Sequence, residues 1–522
     1  MRPWKSGKAA RSRYGWTIRW TFFLVCLLPQ VFGYSAHAEN ERLVGVFYFL
    51  WLGEHGHGAP RDISKILSED PHAGDKPNDP KWGPIGFYHH WGEPLYGYYF
   101  STDEWVVRRH MKLLMQANVD FLFFDVTNSF IYEKNAKLVM RVLQEYHDAG
   151  WKVPKVMFYT NSASGKTVQR IYETIYKPAF AKSVWFELDG KPVIVAKENE
   201  CSDETKVFFT IVQSQWPNEA AKKGGWPWMD FSRPQRLFPG EKVNRSVMNV
   251  SIAQHPQLRF GDSAMYGETN NCGRAFHNGR NDPAPDAWKK GLNAAEQWQR
   301  VFEANPDIVL VTGWNEWIAG RWKGRPDRPI MFVDCANGEY SRDIEMMRGG
   351  YGDAYFLQLV ENVKRYKHIA DEEPVTPSGK PRRYRCFTDA GMPRDAPGYG
   401  TNYVNRTQRN VPRWIEVSHT DDSVRVEIET IAPITGKGIG DWMQVYVNGK
   451  IANPLGRVTV SGNRFTFTAT RSALGLPPSG SFRFEFKFVD STVPCQDPLD
   501  WYDLGVVAPL GRLPLSIGRE CR

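Results

Sequence analysis

The stretch Leu43–Trp51, LVGVFYFLW, is the first of a series of apolar runs that decides the fold. No charged or amide side chain interrupts it, as is typical of a parallel strand that is buried on both faces. Helical patterns separate most of the runs that follow. These runs are Val119–Phe124 (VDFLFF), Lys155–Tyr159 (KVMFY), Pro192–Ala196 (PVIVA), Trp226–Met229, Val247–Ile252, Ile308–Thr312 (IVLVT) and Ile330–Val333 (IMFV).

Eight strands that alternate with helices over residues 43–367 predict an α/β fold, a (β/α)₈ TIM barrel with insertions. Ser101, followed three residues later by Glu104, has the spacing of a capping box and predicts the start of a helix at this point. An open doubly wound sheet is the alternative. We find neither the GxGxxG turn nor the phosphate-binding loop that often accompanies such a sheet.

The pattern changes after the predicted barrel. Residues 368–404 are rich in Pro, Arg and Gly, which indicates a linker. From residue 405 apolar and polar residues alternate in short runs, for example at 423–429 and 482–488, and this predicts a β-sandwich. We therefore divide the chain into 1–38, a catalytic barrel at 39–367, a linker at 368–404 and a candidate carbohydrate-binding sandwich at 405–522.

The first 38 residues carry six basic and no acidic side chains. An apolar run at 20–32 and the small-residue site Ala36-His37-Ala38 follow, which together indicate a secretory signal peptide. An uncleaved membrane anchor is the alternative, although Pro29 interrupts the run and the run is shorter than the roughly 20 residues of a spanning helix. We expect a secreted or periplasmic protein with no stable membrane span after cleavage.

The 522 residues are 42% hydrophobic and 24% charged, the composition of a globular protein. The formal net charge is +8, and removing the six basic residues of the predicted signal leaves +2. No dense basic run remains, so we do not expect a nucleic-acid partner. Of the seven cysteines, six lie outside the signal, and Cys495 with Cys521 is the simplest disulfide to propose, buried thiols being the alternative.

Aromatic residues make up 14% of the chain, and many lie at strand ends, where a barrel builds its active site. Aromatic faces match the C–H faces of sugar rings, although large barrels also use aromatic residues as loop core. This pattern favours a polysaccharide or glycan substrate. The candidate substrate-binding aromatics are Tyr48, Trp51, Trp91, Tyr159 and Trp317.

The strongest local signal is the run 311–317, VTGWNEW, because it follows a buried strand and places Glu316 at the mouth among indole rings. Loss of solvation raises the pKa of a carboxyl group, which is how a glycosidase acid is made. Asn315 can bond a sugar hydroxyl beside it. Strand ends supply eight candidates for a second carboxylate, namely Asp125, Glu198, Glu200, Asp230, Asp334, Glu339, Asp343 and Glu345.

The histidines His55, His57, His89 and His90 cluster in the sequence near the first strand. A zinc site needs three or four ligands, and the HExxH and calcium-loop spacings are absent from the sequence. We therefore predict no metal or other cofactor, and we assign His89 and His90 to sugar hydrogen bonding. Arg342 is a further candidate for substrate binding, or a structural partner of the adjacent Asp343.

Several segments together resemble the glycoside hydrolase family 71 and family 99-like barrels, a group that includes endo-α-mannanases. They are Val46–Trp51, His90-Trp91, Gly97–Asp103, Arg109-His110, Asn118–Asp120, Gly190–Ile194 and Trp314–Trp317. The resemblance implies a barrel and glycosidase activity. The family 99 motif implies a second glutamate three residues after Glu316, and this sequence has Ala319 there. The family also tends to show Ile-Glu-Pro, which Ile344-Glu345-Met346 resembles, so Glu345 or Asp343 becomes the replacement.

We therefore predict an exported glycoside hydrolase that cleaves a polysaccharide or glycan by carboxylate acid/base catalysis. Two alternatives remain, a non-catalytic carbohydrate-binding protein on a degenerate barrel and a glycan-modifying transferase. The predicted catalytic residues are Glu316, Glu345 and Asp343. The predicted substrate-binding residues are Tyr48, Trp51, His89, His90, Trp91, Asp125, Tyr159, Asn315, Trp317 and Arg342.

Overall fold

The computed structural model describes residues 41–56, 58–255, 266, 271–369, 381–478 and 482–519. The predicted signal at 1–38, His57 and Cys521 lie outside the described residues. The helices are α1 (Ile63–Glu69), α2 (Glu104–Gln116), α3 (Glu133–Asp148), α4 (Ser164–Ile171), α5 (Asp203–Phe208), α6 (Leu292–Ala304), α7 (Ala354–Tyr366) and α8 (Asp500–Asp503).

Parallel strands of the first part of the chain form one sheet, in the order β8-β7-β6-β4-β3-β1-β12-β9. Eight such strands, each buried, form a nearly closed barrel and confirm the predicted (β/α)₈ fold. The strands up to residue 332 are β1 (Leu43–Tyr48), β2 (Tyr88–His90), β3 (Phe121–Val126), β4 (Lys155–Thr160), β5 (Glu187–Leu188), β6 (Lys191–Ala196), β7 (Thr210–Gln215), β8 (Gly225–Pro227), β9 (Val247–Ser251), β10 (Phe276–His277), β11 (Arg280–Asn281), β12 (Ile308–Thr312), β13 (Ile318–Arg325) and β14 (Arg328–Phe332).

Aromatic rings fill the barrel interior. The ring of Phe47 stacks on that of Phe123 with centroids 4.7 Å apart, and Tyr159 and Trp228 lie 5.9 Å from it on other sides. A Cβ at Gly45 would lie 2.3 Å from the ring of Phe121, so only glycine fits at this position of β1. This close-packed interior makes the strand ends above it a rigid base for a site.

One of the eight strand predictions was wrong, and one barrel strand was missed. Residues 330–333 do not form a barrel strand, because β14 pairs antiparallel with β13 in a hairpin whose other edge pairs with β2. A two-residue turn joins β13 to β14, and a turn this short permits only antiparallel pairing. The strand that the prediction missed is β7, which pairs in parallel with β6 and β8.

The predicted capping box at Ser101 was also wrong. The helix α2 begins at Glu104, and the side chain of Asp103 caps it by accepting from the backbone N–H groups of Trp105 and Val106. The Oγ of Ser101 instead accepts from the backbone N–H of Leu52, at 3.1 Å. An Asp at this place caps a helix as well as a Ser does, and here the loop geometry selects it.

Antiparallel sheets form the C-terminal part, as predicted for a β-sandwich. The strands are β15 (Arg382–Arg385), β16 (Arg394–Gly398), β17 (Thr401–Asn405), β18 (Pro412–His419), β19 (Ser423–Thr430), β20 (Asp441–Val447), β21 (Lys450–Ile451), β22 (Arg457–Ser461), β23 (Arg464–Thr470), β24 (Phe482–Ser491), β25 (Val506–Ala508) and β26 (Leu515–Arg519). One sheet has the order β15-β18-β19-β23-β22, and the other contains β21-β20-β24-β25 with β26 beside β24. Alternate side chains of β18, β19, β20 and β24 form its core.

The segment predicted as a linker carries strands where it is described. β15 joins the sandwich through β18, and β16 pairs with β17. The side chain of Arg394 in β16 forms an ion pair of 2.8 Å with Asp103, at the start of α2. The described residues 381–404 therefore contribute β15 to the sandwich and contact the barrel through Arg394 of β16.

The five cysteines that the structure describes, Cys201, Cys272, Cys335, Cys386 and Cys495, carry free thiols. The proposed partner of Cys495, Cys521, is outside the described residues, so that disulfide stays a prediction. In the described part of the chain, no helix has both the length and the apolar character needed to cross a membrane.

Candidate active site at the barrel mouth

Glu316 lies just beyond the carboxyl end of β12, and its side chain is 4% exposed. Its carboxylate oxygen Oε2 accepts from the Nη2 and Nε of Arg342, at 2.6 and 3.2 Å. Its backbone N–H donates to Asp343. Burial raises the pKa of Glu316 well above its ordinary value; Arg342 opposes this shift, and Asp334 and Asp343 add to it.

Arg342 connects Glu316 to a second carboxylate. Its Nη2 also lies 3.2 Å from the Oδ1 of Asp334, whose side chain is 32% exposed. Its Nη1 lies 3.1 Å from the Nδ1 of His255, beyond the end of β9, and its guanidinium lies 5.3 Å from the ring centroid of Trp228. The guanidinium therefore has a fixed position at the mouth, between a buried and a partly exposed carboxylate.

Asp125 stands near the carboxyl end of β3 and is 7% exposed. One oxygen accepts from the backbone N–H of Thr127 at 2.9 Å. Burial raises the pKa of Asp125 to about 6; Thr127 lowers it, Asp334 raises it, and Arg342 lowers it. Asp125 thus shares its electrostatic surroundings with the pair formed by Glu316 and Arg342.

Aromatic side chains form a rim around this group. The imidazole of His55 stacks on the ring of Tyr88, with centroids 4.7 Å apart, and Trp51 and Phe130 meet these rings edge-on at 6.2 and 6.1 Å. The hydroxyl of Tyr132 lies 2.7 Å from the Nε2 of His55. Burial raises the pKa of both Tyr88 and Tyr132. Asp334 adds to the shift at Tyr88, and Asp125 adds to the shift at Tyr132, so the rim lies beside both carboxylates.

The hairpin of β13 and β14 extends this rim. A Cβ at Gly320 would lie 3.5 Å from the indole nitrogen of Trp322 and 3.5 Å from the ring of Tyr88, so both aromatic groups approach the glycine. Trp322 is 52% exposed. An exposed indole beside a stacked phenol offers a flat apolar surface of the kind that binds sugar rings.

Below the rim, two indoles support the loop that carries Glu316. The rings of Trp91 and Trp317 stack with centroids 4.5 Å apart, and both are fully buried. The Nε1 of Trp91 donates to Asp343 at 3.0 Å. Burial raises the pKa of Asp343 to about 7, although Arg274, the backbone N–H of Glu316 and Trp91 oppose that shift.

Glu345 lies in a separate, fully buried cluster and not at the mouth. It accepts from the hydroxyl of Tyr99 at 2.7 Å, and its Oε1 lies 2.8 Å from the Nε2 of His110; the indole of Trp317 also donates to it. The hydroxyl of Tyr48 lies 3.0 Å from the other nitrogen of His110. Glu345 has no exposed surface and Tyr48 is 3% exposed, and these contacts hold the end of β1 against α2.

The remaining predicted site residues, Asn315, Tyr159, His89 and His90, are buried. The amide of Asn315 bonds the backbone of Phe49, accepting at 2.9 Å and donating at 3.1 Å. The hydroxyl of Tyr159 donates to the carbonyl of Trp226, at 2.7 Å inside the barrel. Burial lowers the pKa of both His89 and His90 to about 3, which keeps these rings neutral.

The other strand-end carboxylates have structural partners. Glu198 pairs with Lys242, and Asp230 lies 2.7 Å from Arg236. Glu339 accepts from the backbone N–H of Ala275, and Glu200 from that of Gly165. Among the described residues, no group of three or more His, Cys, Asp or Glu side chains has the arrangement of a metal site.

Sequence reasoning assigned no site role to His255 or Tyr132; it counted Trp228 and Trp322 among the aromatic residues at strand ends but did not select them as substrate-binding residues. Trp228 follows β8 directly and Tyr132 follows β3 by six residues, so strand ends could have signalled both. The position of Trp322 among aromatic residues that follow a strand was the sequence signal for it, and the structure places it in β13.

Comparison with known proteins gives structural neighbours only. No family model matches the chain, and no curated protein matches it. Two structures of a GH99 endo-alpha-mannosidase from Bacteroides thetaiotaomicron are similar at 15 and 14% identity with TM-scores of 0.37 and 0.38, and each covers 62% of this chain and 97% of its own. A glycoside hydrolase-like protein is similar at 12% identity and a TM-score of 0.32, covering 62% of this chain and 94% of its own.

Two of the three neighbours are named as family 99 enzymes, and the resemblance of this chain to families 71 and 99 stays a prediction. Because all three TM-scores lie below 0.5, the function proposed next rests on the residues of the barrel mouth.

Proposed function

We propose that this protein is a glycoside hydrolase that cleaves a polysaccharide or glycan, with Glu316 as proton donor and Asp125 as the second carboxyl group. The observation that carries the proposal is the mouth itself. Two buried carboxyl groups with raised pKa values share Arg342 and Asp334 beneath an aromatic rim. Groups whose surroundings separate their pKa values can divide the acid and base roles of glycoside cleavage.

In the proposed chemistry, Glu316 donates a proton to the leaving oxygen, and Asp125 acts on the other side of the glycosidic bond. Glu316 gives its proton to the glycosidic oxygen as the bond from that oxygen to the anomeric carbon breaks. Asp125 works ionised, either by taking a proton from the attacking water or by attacking the anomeric carbon and releasing it to water later. Water supplies the hydroxyl group of one product and the proton that restores Glu316.

Asp343 and Glu345, the replacements suggested by sequence, have supporting roles in this proposal. Asp343 accepts from the backbone N–H of Glu316 and from Trp91, so it fixes the direction of the catalytic loop. Glu345 accepts from Tyr99 and Trp317, so it fixes the same loop from below. Both side chains belong to residues without measurable exposure.

We also propose that the chain is exported to a secreted or periplasmic location. The basic and apolar segment at 1–38 and its small-residue site support this. Mass spectrometry of the mature protein tests the proposal, because cleavage after Ala38 gives an N-terminus at Glu39. An intact chain in the cytoplasmic fraction would contradict it.

A screen for released reducing ends tests the hydrolase proposal. We expect the full chain to generate new reducing ends from at least one member of a panel of neutral, uronate-containing and sulfated glycans, with water as the only acceptor. Product that forms only when a second sugar acceptor is added would indicate the transferase instead.

A non-catalytic carbohydrate-binding protein is the second candidate, and Ala319 favours it. This residue stands where the family 99 motif implies a glutamate, and it is buried in β13 opposite His89. Binding to a glycan without any released sugar, across the panel, would support this candidate and contradict the hydrolase.

A further inference from the structure

A groove of about 860 Å³ lies beside the hairpin of β13 and β14 and is distinct from the barrel mouth. The loop at 77–85 forms one wall and β13 the other. Four cationic side chains and one carboxylate line the groove, namely Arg61, Arg321, Lys323, Arg325 and Asp79. The groove is therefore cationic, whereas the mouth contains the carboxyl groups of Glu316, Asp125 and Asp334 around Arg342.

The alternation of β13 creates this separation. Arg321, Lys323 and Arg325 stand at every second position of the strand, so their side chains leave the same face. Trp322 stands between them and leaves the opposite face, the one that approaches Tyr88. One strand thus presents an aromatic face to the rim and a cationic face to the groove.

The cations of the groove have few acidic partners. Arg321 is 4% exposed, and its terminal nitrogens donate to the backbone carbonyls of Gly83 and Pro77 rather than to a carboxylate. Its buried Nε has no hydrogen-bond partner in the described part of the chain. Arg325 approaches a carboxylate only at 3.9 Å, that of Asp327, and both side chains are more than half exposed.

Within the described ranges, neither Arg61 nor Lys323 pairs with a carboxylate in the structure, and the guanidinium of Arg61 lies over the ring of Phe87 at 4.8 Å. Positive charge that is partly desolvated and lacks a counter-charge favours an anionic ligand, because such a ligand supplies the missing partners. A planar guanidinium also matches the geometry of carboxylate and sulfate groups.

We propose that this groove binds anionic substituents of the glycan, uronate carboxylates or sulfate esters, at a distance from the bond that is cleaved. The proposal rests on the proposed function, since it names the substrate class of the same molecule. β13 begins two residues after Glu316, and Arg321 stands five residues after it, a chain length of about 16 Å. A neutral sugar therefore occupies the acidic mouth, and the charged sugars lie further along the chain.

Calorimetric binding of three oligosaccharides tests the proposal directly. The probes are an oligogalacturonate, a sulfated carrageenan oligosaccharide and a neutral mannan oligosaccharide of similar length. We compare the wild-type protein with Lys323→Ala/Arg325→Ala, whose side chains are exposed and whose removal leaves the fold intact. The matched control is Lys450→Ala/Arg457→Ala, which removes the same two charges from exposed positions of the sandwich.

We expect the groove variant to bind at least one anionic probe about tenfold more weakly than wild type, and the control to bind it normally. Raising the salt to roughly 0.3 M should weaken the same binding, because salt screens exposed charges. If the oligogalacturonate loses binding, the groove recognises carboxylates, and if the carrageenan oligosaccharide loses binding, it recognises sulfate esters. Equal binding by both variants, or a preference for the neutral probe, would overturn the proposal.

Two further outcomes separate this proposal from the hydrolase. Anionic binding that depends on Lys323 and Arg325, without cleavage of any glycan, would support the groove and contradict the proposed function. If the groove variant cleaves a neutral glycan at the wild-type rate and the wild type binds neither anionic probe, the result would support the hydrolase and contradict the groove. A single-stranded DNA of equal charge that binds as tightly as the oligosaccharide would also overturn the assignment to glycans.

Discussion

Glu316 and Asp125 are both buried carboxyl groups, but different contacts control their charge. Arg342 contacts Glu316 directly, whereas Asp125 accepts from the backbone N–H of Thr127. Burial gives Asp125 a pKa of about 6 and raises that of Glu316 well above its ordinary value. The proposed division of labour, with Asp125 ionised and Glu316 protonated, therefore requires a window of pH.

The first prediction concerns the low-pH limb of activity. Because Asp125 must be ionised, activity should rise with pH through about 6 in the wild type. Asp125→Asn should lower kcat by about 10²–10⁴ and remove this limb. A pH profile of kcat on the cleaved glycan measures both effects. Asp189→Asn, at an exposed turn, is the control, and a limb near 6 that persists in Asp125→Asn would contradict the role of Asp125.

The second prediction concerns the high-pH limb. The positive charge of Arg342 lowers the pKa of Glu316, so Arg342→Gln should raise that pKa and move the high-pH limb upward. The same variant should lower kcat about tenfold or more, because Glu316 loses the group that orients it. Arg348→Gln, whose side chain is half exposed, should leave the profile unchanged. A downward shift in Arg342→Gln would contradict the pairing.

At this scale the sequence predicts the site in part. The run of aromatic residues around Glu316 directly after a strand marks the mouth, and Asp125 also comes from a strand end, whereas Arg342 lies ten residues after β14. What it could not predict is the partner of each group. Asp343 and Glu345 are only two residues apart, but Asp343 accepts from Trp91 whereas Glu345 accepts from Tyr99, and no sequence pattern assigns these partners.

Single strands and hairpins decide which side chains reach the mouth. The hairpin of β13 and β14 has an apolar pattern at 330–332 that resembles a barrel strand, yet it pairs antiparallel outside the barrel. The true barrel strand β7, TIVQSQ, has only two large apolar residues, and hydrogen bonds satisfy its buried polar ends; Ser214 donates to Asn161 at 3.2 Å. Periodicity alone detects apolar burial, so it missed a strand whose burial depends on hydrogen bonding.

The third prediction tests the aromatic face of this hairpin. Trp322 is 52% exposed and lies beside Tyr88, so Trp322→Ala should raise KM about tenfold through lost stacking, while kcat changes less than about twofold. Steady-state kinetics measure KM and kcat, and a thermal melt checks that the variant is folded. Trp414→Ala in the sandwich is the matched control. A fall in kcat with unchanged KM would contradict a binding role for Trp322.

The barrel and the C-terminal strands form contacts through charged groups as well as apolar ones. Asp353, two per cent exposed and just before α7, accepts from the hydroxyl of Tyr502 at 2.7 Å and from the Nε of Arg512 at 2.7 Å. A second contact of this kind joins Lys112 in α2 to Asp389, at 2.8 Å. Sequence patterns identified barrel and sandwich separately, but contacts between residues 149–159 positions apart leave no periodic signal.

The fourth prediction tests this attachment. Asp353→Ala leaves the hydroxyl of Tyr502 and the guanidinium of Arg512 without their acceptor, so it should lower the free energy of unfolding by about 2–3 kcal/mol. Asp395→Ala removes a carboxylate that pairs with Arg406, both side chains more than half exposed, and should change it by less than about 1 kcal/mol. Urea unfolding followed by tryptophan fluorescence measures both. Equal stability of the two variants would contradict a structural role for this contact.

The fifth prediction is the most direct test of the central claim, that Glu316 carries glycoside cleavage at the barrel mouth. The measurement is kcat of Glu316→Gln on a glycan that the wild type cleaves, with Glu361→Gln on the exposed face of α7 as control. Gln keeps the shape of Glu316 and removes its proton, so we predict a loss of about a thousandfold in kcat, with full activity in the control. A Glu316→Gln variant that retains more than about a tenth of wild-type kcat would contradict the assignment.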